Sequence, residues 1–168
     1  MTRPFYLAPL LLLAGCGLQP LYSGGNSGPV AATLAGVSVA PIEGKAGWLM
    51  QAALADRIQA AGSPRYSLKV ELDDKITGFG VRRDDAVTRE RRTLRARYQL
   101  VETATGQTVL DATAGSDAGI DVVGSDYATI AAENTALERL TGVVADQIIS
   151  RVALYAKRTA APAPATDK

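Results

Sequence analysis

The sequence predicts an α+β domain with the element order strand, helix, three strands, helix. Two stretches, "YSLKVELDDKI" from Tyr66 and "TLRARYQLV" from Thr93, alternate strictly between apolar and polar residues, as half-buried strands do. Two proline-free segments, Trp48 to Ala61 and Ser125 to Arg158, carry apolar residues at helical spacing. Strands with one apolar face need a cover, and these two amphipathic helices are the only candidates for it.

Taken in order, "VSVAPI" (Val37 to Ile42) alternates apolar and small residues and forms a first strand, ended by Pro41 and the turn-like "EGKAG". In the next segment Trp48, Ala52, Ala55 and Ile58, or Leu54, Ile58 and Ala61, recur at helical spacing, and Gly62 closes the helix. The second strand puts Tyr66, Leu68, Val70 and Leu72 on one face and Ser67, Lys69, Glu71 and Asp73 on the other. In the third, Leu94, Ala96, Tyr98 and Leu100 face the core, and Arg95, Arg97 and Gln99 face away. "ETATGQ" supplies a turn, and "TVLDATAG" returns with Leu110, Ala112 and Ala114 on its less polar side. The last helix aligns Leu137, Leu140, Val144, Ile148, Val152 and Tyr155 in one stripe, read as core, with Ser125 or Asp126 as its cap. "GFG" (78–80) and "GSDAG" (115–119) lack phosphate-loop spacing and read as turns.

A chain of 168 residues, 47% apolar, suits one domain. Eighteen basic residues against seventeen acidic ones leave no bulk field that would draw in nucleic acid. Histidine is absent and cysteine occurs once, so Ser-His-Asp and Cys-His nucleophiles and zinc sites built from imidazole and thiolate are all excluded. The doublets Asp73-Asp74 and Asp84-Asp85 have neither calcium-loop spacing nor a positioned acid-base partner. No catalytic residue, metal site or cofactor is expected.

Arg3, an apolar stretch from Phe5 to Ala14, and small residues leading into Cys16 form the layout of a secretory signal peptide. The stretch is shorter than the roughly 20 apolar residues of a spanning helix. Leu13, Ala14, Gly15 and Cys16 resemble the bacterial lipoprotein lipobox, which implies cleavage before Cys16 and acylation of that residue, consuming its thiol. Gly17 stands where an aspartate would favour inner-membrane retention, so an outer-membrane lipid anchor is expected. The expected organisation is a signal peptide over 1–15, an acylated cysteine and flexible tether over 16–36, the domain over 37–158, and an unstructured tail over 159–168.

Seven of the thirteen arginines fall within sixteen residues: Arg82, Arg83, Arg89, Arg91, Arg92, Arg95 and Arg97. They span a hairpin tip and the strand leaving it. Period two puts Arg89, Arg91, Arg95 and Arg97 on the solvent face and Arg92 on the other. The stripe suits an anionic ligand or acidic surface, since the guanidinium fork engages phosphate and carboxylate bidentately. It equally suits a solvated face paired with Lys69, Glu71, Asp73 and Lys75 of the neighbouring strand.

"CGLQPLY", Cys16 to Tyr22, resembles the mature start of LPS-assembly lipoproteins of the LptE family. The likeness continues through the element order and into the last helix, at Tyr127, Ala128, Ala132, Ala136, Arg139, Ile148 and Arg151. The resemblance implies a two-layer sandwich, two helices on one face of a four-stranded, mostly antiparallel sheet. It also implies a non-enzymatic outer-membrane lipoprotein that plugs and helps assemble the LptD β-barrel and binds lipopolysaccharide. Arg82, Arg83 and Arg89 are then the expected lipopolysaccharide contacts, and Arg91, Arg95 and Arg97 face the ligand or the barrel lumen. A periplasmic auxiliary lipoprotein of an ABC-type lipid transporter has similar size and anchor and is the alternative.

Overall fold

The computed structural model describes residues 28–81 and 87–160. Its elements are α1 (Pro29–Ala35), β1 (Val37–Val39), α2 (Gly44–Ala55), β2 (Tyr66–Val81), β3 (Val87–Glu102), β4 (Thr108–Asp121) and α3 (Asp126–Ala160). The sheet order is β1-β2-β3-β4. β1 runs parallel to β2, with Val37 opposite Tyr66, and the other pairs are antiparallel. The mostly antiparallel four-stranded α+β architecture is thus the expected one, with three differences of detail.

The first is α1, which occupies the end of the expected tether. Pro29 sits at the helix start, where its missing N–H costs nothing. Val30 and Leu34, one turn apart, are buried in the core. Beyond α1, the Gly36 carbonyl accepts from the backbone N–H groups of Arg65 and Tyr66, so this segment is bound into the base of the sheet.

The second is α2, which begins four residues before Trp48 and stops at Ala55 rather than Ala61. Its buried face is Gly47, Met50 and Leu54, leaving Trp48 on the far side and 69% exposed. The chain after Ala55 serves tertiary contacts instead: Ile58 is buried, and the Ala61 N–H donates to the Ala35 carbonyl of α1. Arg57 reaches α3, with Nε 2.6 Å from Asp146 Oδ1.

The third is the length of the strands. β2 and β3 hold sixteen residues each, and "GFG" and the whole of "GSDAG" lie within strands, not turns. Gly80 has φ +76°, a conformation that favours glycine, and its carbonyl accepts from Thr88 Oγ1 at 2.6 Å, so the ladder passes through a local distortion there. At about 3.3 Å per residue the β2–β3 hairpin is about 50 Å long, and 35 residues of α3 at 1.5 Å reach the same length. One helix therefore runs the length of the hairpin, over β3 and β4. The twelve-residue α2 covers only part of β1 and β2 beside it.

The inward faces match the alternation: Leu68, Leu94, Ala96, Tyr98 and Leu100 pack under Leu137, Leu140, Val144, Ile148 and Val152. Tyr155, the last member of the expected stripe, meets Tyr66 edge-on, with ring centroids 6.2 Å apart. Past Leu94 the inward face of β3 turns polar, while Ile120 of β4 stays buried opposite Glu90. There Arg92 points inward and forks onto Asp74, Nε to Oδ1 at 2.8 Å and Nη2 to Oδ2 at 2.5 Å. Its Nη1 donates to the Glu133 carbonyl of α3 at 2.8 Å. The guanidinium is raised in pKa mainly by that hydrogen bond with Asp74.

Two stability changes follow. Leu34→Ala is expected to lower unfolding free energy by about 2–4 kcal/mol in chemical denaturation, a loss that a tether residue would not cause. Asp74→Ala strands a largely buried guanidinium and is expected to cost about 2–3 kcal/mol, whereas Asp73→Ala on the exposed face stays within about 0.5 kcal/mol.

Candidate functional site

The outward face of β2, β3 and β4 is largely polar, with Phe79 an exposed apolar exception, and β3 supplies its centre. Period two sends Arg89, Arg91, Arg95 and Arg97 to this face, and all four are exposed. What each arginine meets is set by the register with β4. Arg89 lies opposite Asp121 and donates from Nε to its Oδ1 at 3.1 Å. Arg97 donates to Asp111 at 3.1 Å and 3.4 Å, and Gln99 Nε2 reaches the same carboxylate at 2.9 Å. Those hydrogen bonds, from Arg97 first and Gln99 second, hold the Asp111 carboxyl below its usual range.

The other two arginines face glycine. Arg91 lies opposite Gly119 and Arg95 opposite Gly115. Arg95 lies flat across Gly115, where an added Cβ would stand 2.5 Å from its Cδ, so only glycine admits this approach. Arg91 stacks over the Phe79 ring, 5.4 Å from its centroid. Among the described residues neither joins an ion pair. The stripe therefore contains two neutralised cations and two without a carboxylate partner. The neutralising carboxylates come from β4, not from β2 as the alternation suggested: Asp73, directly opposite Arg95, bonds Lys75 instead.

Arg92 belongs to the interior clamp and not to this face. Cys16, Arg82, Arg83, Asp84 and Asp85 lie outside the described residues. Asp73 and Asp74 point to opposite faces, and among the described residues no group of three or more acidic, histidine or cysteine side chains is placed to hold a metal. This face can recognise anions. It holds no paired acid and base.

Phe79, Gly115 and Gly119 were not legible as site residues, because their meaning depends on cross-strand register. A second feature, on the inward side, is a groove of about 550 Å³ between α3 and β4, with Tyr98 and Arg151 among its walls. Arg151 stood out in the sequence only as part of a helix pattern.

The chain is similar in fold to several solved structures. A Caulobacter crescentus protein described as a lipoprotein aligns with TM-score 0.67 and 23% identity, over 80% of this chain and 100% of the other. Rare lipoprotein B from Shewanella oneidensis gives 0.58 and 8%, over 73% and 96%. Lipoprotein B from Nitrosomonas europaea gives 0.56 and 10%, over 72% and 82%. At these identities the likeness speaks to fold. A comparison with curated protein sequences returns no match. A match to the LptE family, described as lipopolysaccharide-assembly, spans residues 34–152 and so takes in all four strands and most of α3. With most of the chain matched and the same lipoprotein fold around it, this protein belongs to the LptE family of non-enzymatic lipopolysaccharide-assembly lipoproteins.

Proposed function

We propose that this chain is the lipid-anchored subunit of a lipopolysaccharide translocon in the outer membrane, fastened through an acylated Cys16 and seated in the LptD barrel. Its folded body plugs that barrel and assists its assembly, and lipopolysaccharide contacts Arg82, Arg83 and Arg89 on the way to the cell surface. The family match over residues 34–152 carries this reading, because lipopolysaccharide assembly is what the family does.

The chemistry of the exposed face supports the finer parts. Lipopolysaccharide presents phosphates and acidic sugars, which planar guanidinium groups engage in pairs of hydrogen bonds. The lumen of an outer-membrane barrel is polar, and a flat, hydrophilic sheet face suits such a wall. Arg91 and Arg95, which have no carboxylate partner among the described residues, are the cations on β3 most available to an acidic side chain of the barrel. Arg97 is paired with Asp111 and Arg89 with Asp121, so each of these two exchanges an exposed carboxylate for the incoming anion. Among the described residues no helix is long and apolar enough to cross a membrane, consistent with attachment through the N-terminus.

Affinity capture of the full-length protein from detergent-solubilised membranes is expected to recover a large β-barrel. Recovery of inner-membrane transporter subunits in its place would favour the auxiliary-lipoprotein alternative and overturn the assignment. For the ligand, joint reversal of Arg82 and Arg83 to glutamate is expected to weaken lipopolysaccharide binding about tenfold or more, with little change in melting temperature. A collapse of the melting temperature would make the cluster structural instead.

A further inference from the structure

On the inward side, the short side chain of Ala114 on β4 lies beside Tyr98 and beneath α3, and leaves space open between helix and strand. The result is the open groove of about 550 Å³, within the size range of small-molecule sites. Its helix wall is built from residues about one turn apart, Val143, Gln147, Ser150 or Arg151, and Leu154. Val143 and Leu154 are among the few large apolar side chains of the domain that remain exposed, at 45% and 38%.

The groove also holds a cation. Arg151 lies beside Tyr98 in the groove lining, and burial pushes the Tyr98 hydroxyl up in pKa while the nearby guanidinium opposes that shift. No carboxylate pairs with Arg151 among the described residues. Asp146 shares the groove, but it is the acceptor for Arg57 at 2.6 Å. Gln147 is likewise engaged, with both ends of its amide on the Gly115 backbone. Arg151 and the Ser150 hydroxyl remain to meet a ligand, with aliphatic walls on either side.

A guanidinium with no carboxylate partner among the described residues, bordered by exposed Val143 and Leu154 and by the buried Ala114, matches a ligand with one negative group and an alkyl body. From Val143 to Arg151 is eight residues, about 12 Å along the helix axis, the scale of a medium-length alkyl chain. We propose that the α3–β4 groove binds a single-chain anionic amphiphile, its carboxylate or phosphate on Arg151 and its chain along Val143, Ala114 and Leu154. This site lies on the opposite side of the sheet from the arginine stripe and does not rest on the lipopolysaccharide reading.

The test uses the full chain carrying Cys16→Ala, which leaves every described residue intact, and dodecanoate below its micellar concentration, with binding read by calorimetry. Saturable one-to-one binding is expected, with dodecanol and inorganic phosphate each binding at least about tenfold more weakly. Arg151→Gln is expected to weaken dodecanoate about tenfold or more, with Arg151→Lys recovering part of the loss. Leu154→Asp is expected to weaken it as well, with an unchanged melting temperature. Arg139→Gln, the same change on the same helix outside the groove, is the control and is expected to bind as the parent does. Absence of dodecanoate binding, equal binding of dodecanol, or full binding by both Arg151→Gln and Leu154→Asp would overturn the proposal.

Discussion

The Arg92–Asp74 clamp decides how far the two layers of this protein extend. The apolar inward face of β3 ends at Leu94, yet strands and helix both continue past it. Beyond that point Arg92 joins three elements at once, forking onto Asp74 of β2 and donating to the Glu133 carbonyl of α3. A guanidinium brought this far out of water is tolerable only with its hydrogen bonds satisfied, and here both edges of the fork are used. The contact with α3 is to a backbone carbonyl and so depends on where the helix lies, not on which side chain stands at 133. A polar cross-brace thus takes over where the apolar face of β3 stops, with Ile120 of β4 buried beyond it. It keeps α3 seated on a hairpin longer than the core alone could cover.

That brace also explains the composition of β3. A strand whose inward member is Arg92 and whose outward members are Arg89, Arg91, Arg95 and Arg97 concentrates positive charge along one line. Left alone, such a line would repel itself. Asp74 answers it from inside, and Asp111 and Asp121 answer it from the neighbouring edge. Among the described residues Arg91 and Arg95 have no carboxylate to answer them, and both stand opposite glycine. Exposed pairs of this kind add little stability, so their arrangement matters for what the face can attract more than for holding the fold.

Much of this was legible in the sequence, and the limits of that legibility have physical causes. Period two alone put Leu94, Ala96, Tyr98 and Leu100 inward, four arginines outward and Arg92 apart from them, because side-chain direction in a strand is a local property. The partners of those arginines were not legible: pairing with β2 or with β4 is decided by register and reach across the sheet. Residues 29–35 read as tether from their Gly, Ser, Ala and Pro content. The two cues to a helix, Pro29 at its start and Val30 with Leu34 one turn apart, gain force only when a core exists to receive them. Trp48 misled for a related reason, since the face that α2 buries is set by Gly47, Met50 and Leu54 against α3 and β1. The groove at Arg151 had no sequence signal, because it forms where α3 passes over Ala114 of a different element.

β4 is where the two sides of the molecule meet. Its inward positions are alanine and serine for much of its length, and its outward positions alternate aspartate with glycine from Gly115 to Asp121. Such a strand has weak intrinsic preference for its conformation and sits at the sheet edge. It is held by its ladder to β3 and by Gln147, whose amide engages the N–H and C=O of Gly115 from α3. The same economy of side chains has consequences on both faces. Inside, Ala114 leaves room beside α3; outside, glycines stand opposite the two guanidinium groups that have no carboxylate partner among the described residues, while aspartates neutralise the other two. Larger strand-forming residues would hold the edge more firmly, but a side chain at position 115 would displace Arg95 from its place and bulk at 114 would fill part of the groove. The weakness of β4 as a strand and its availability as a surface thus have one cause, side chains kept small enough for other groups to lie against the backbone.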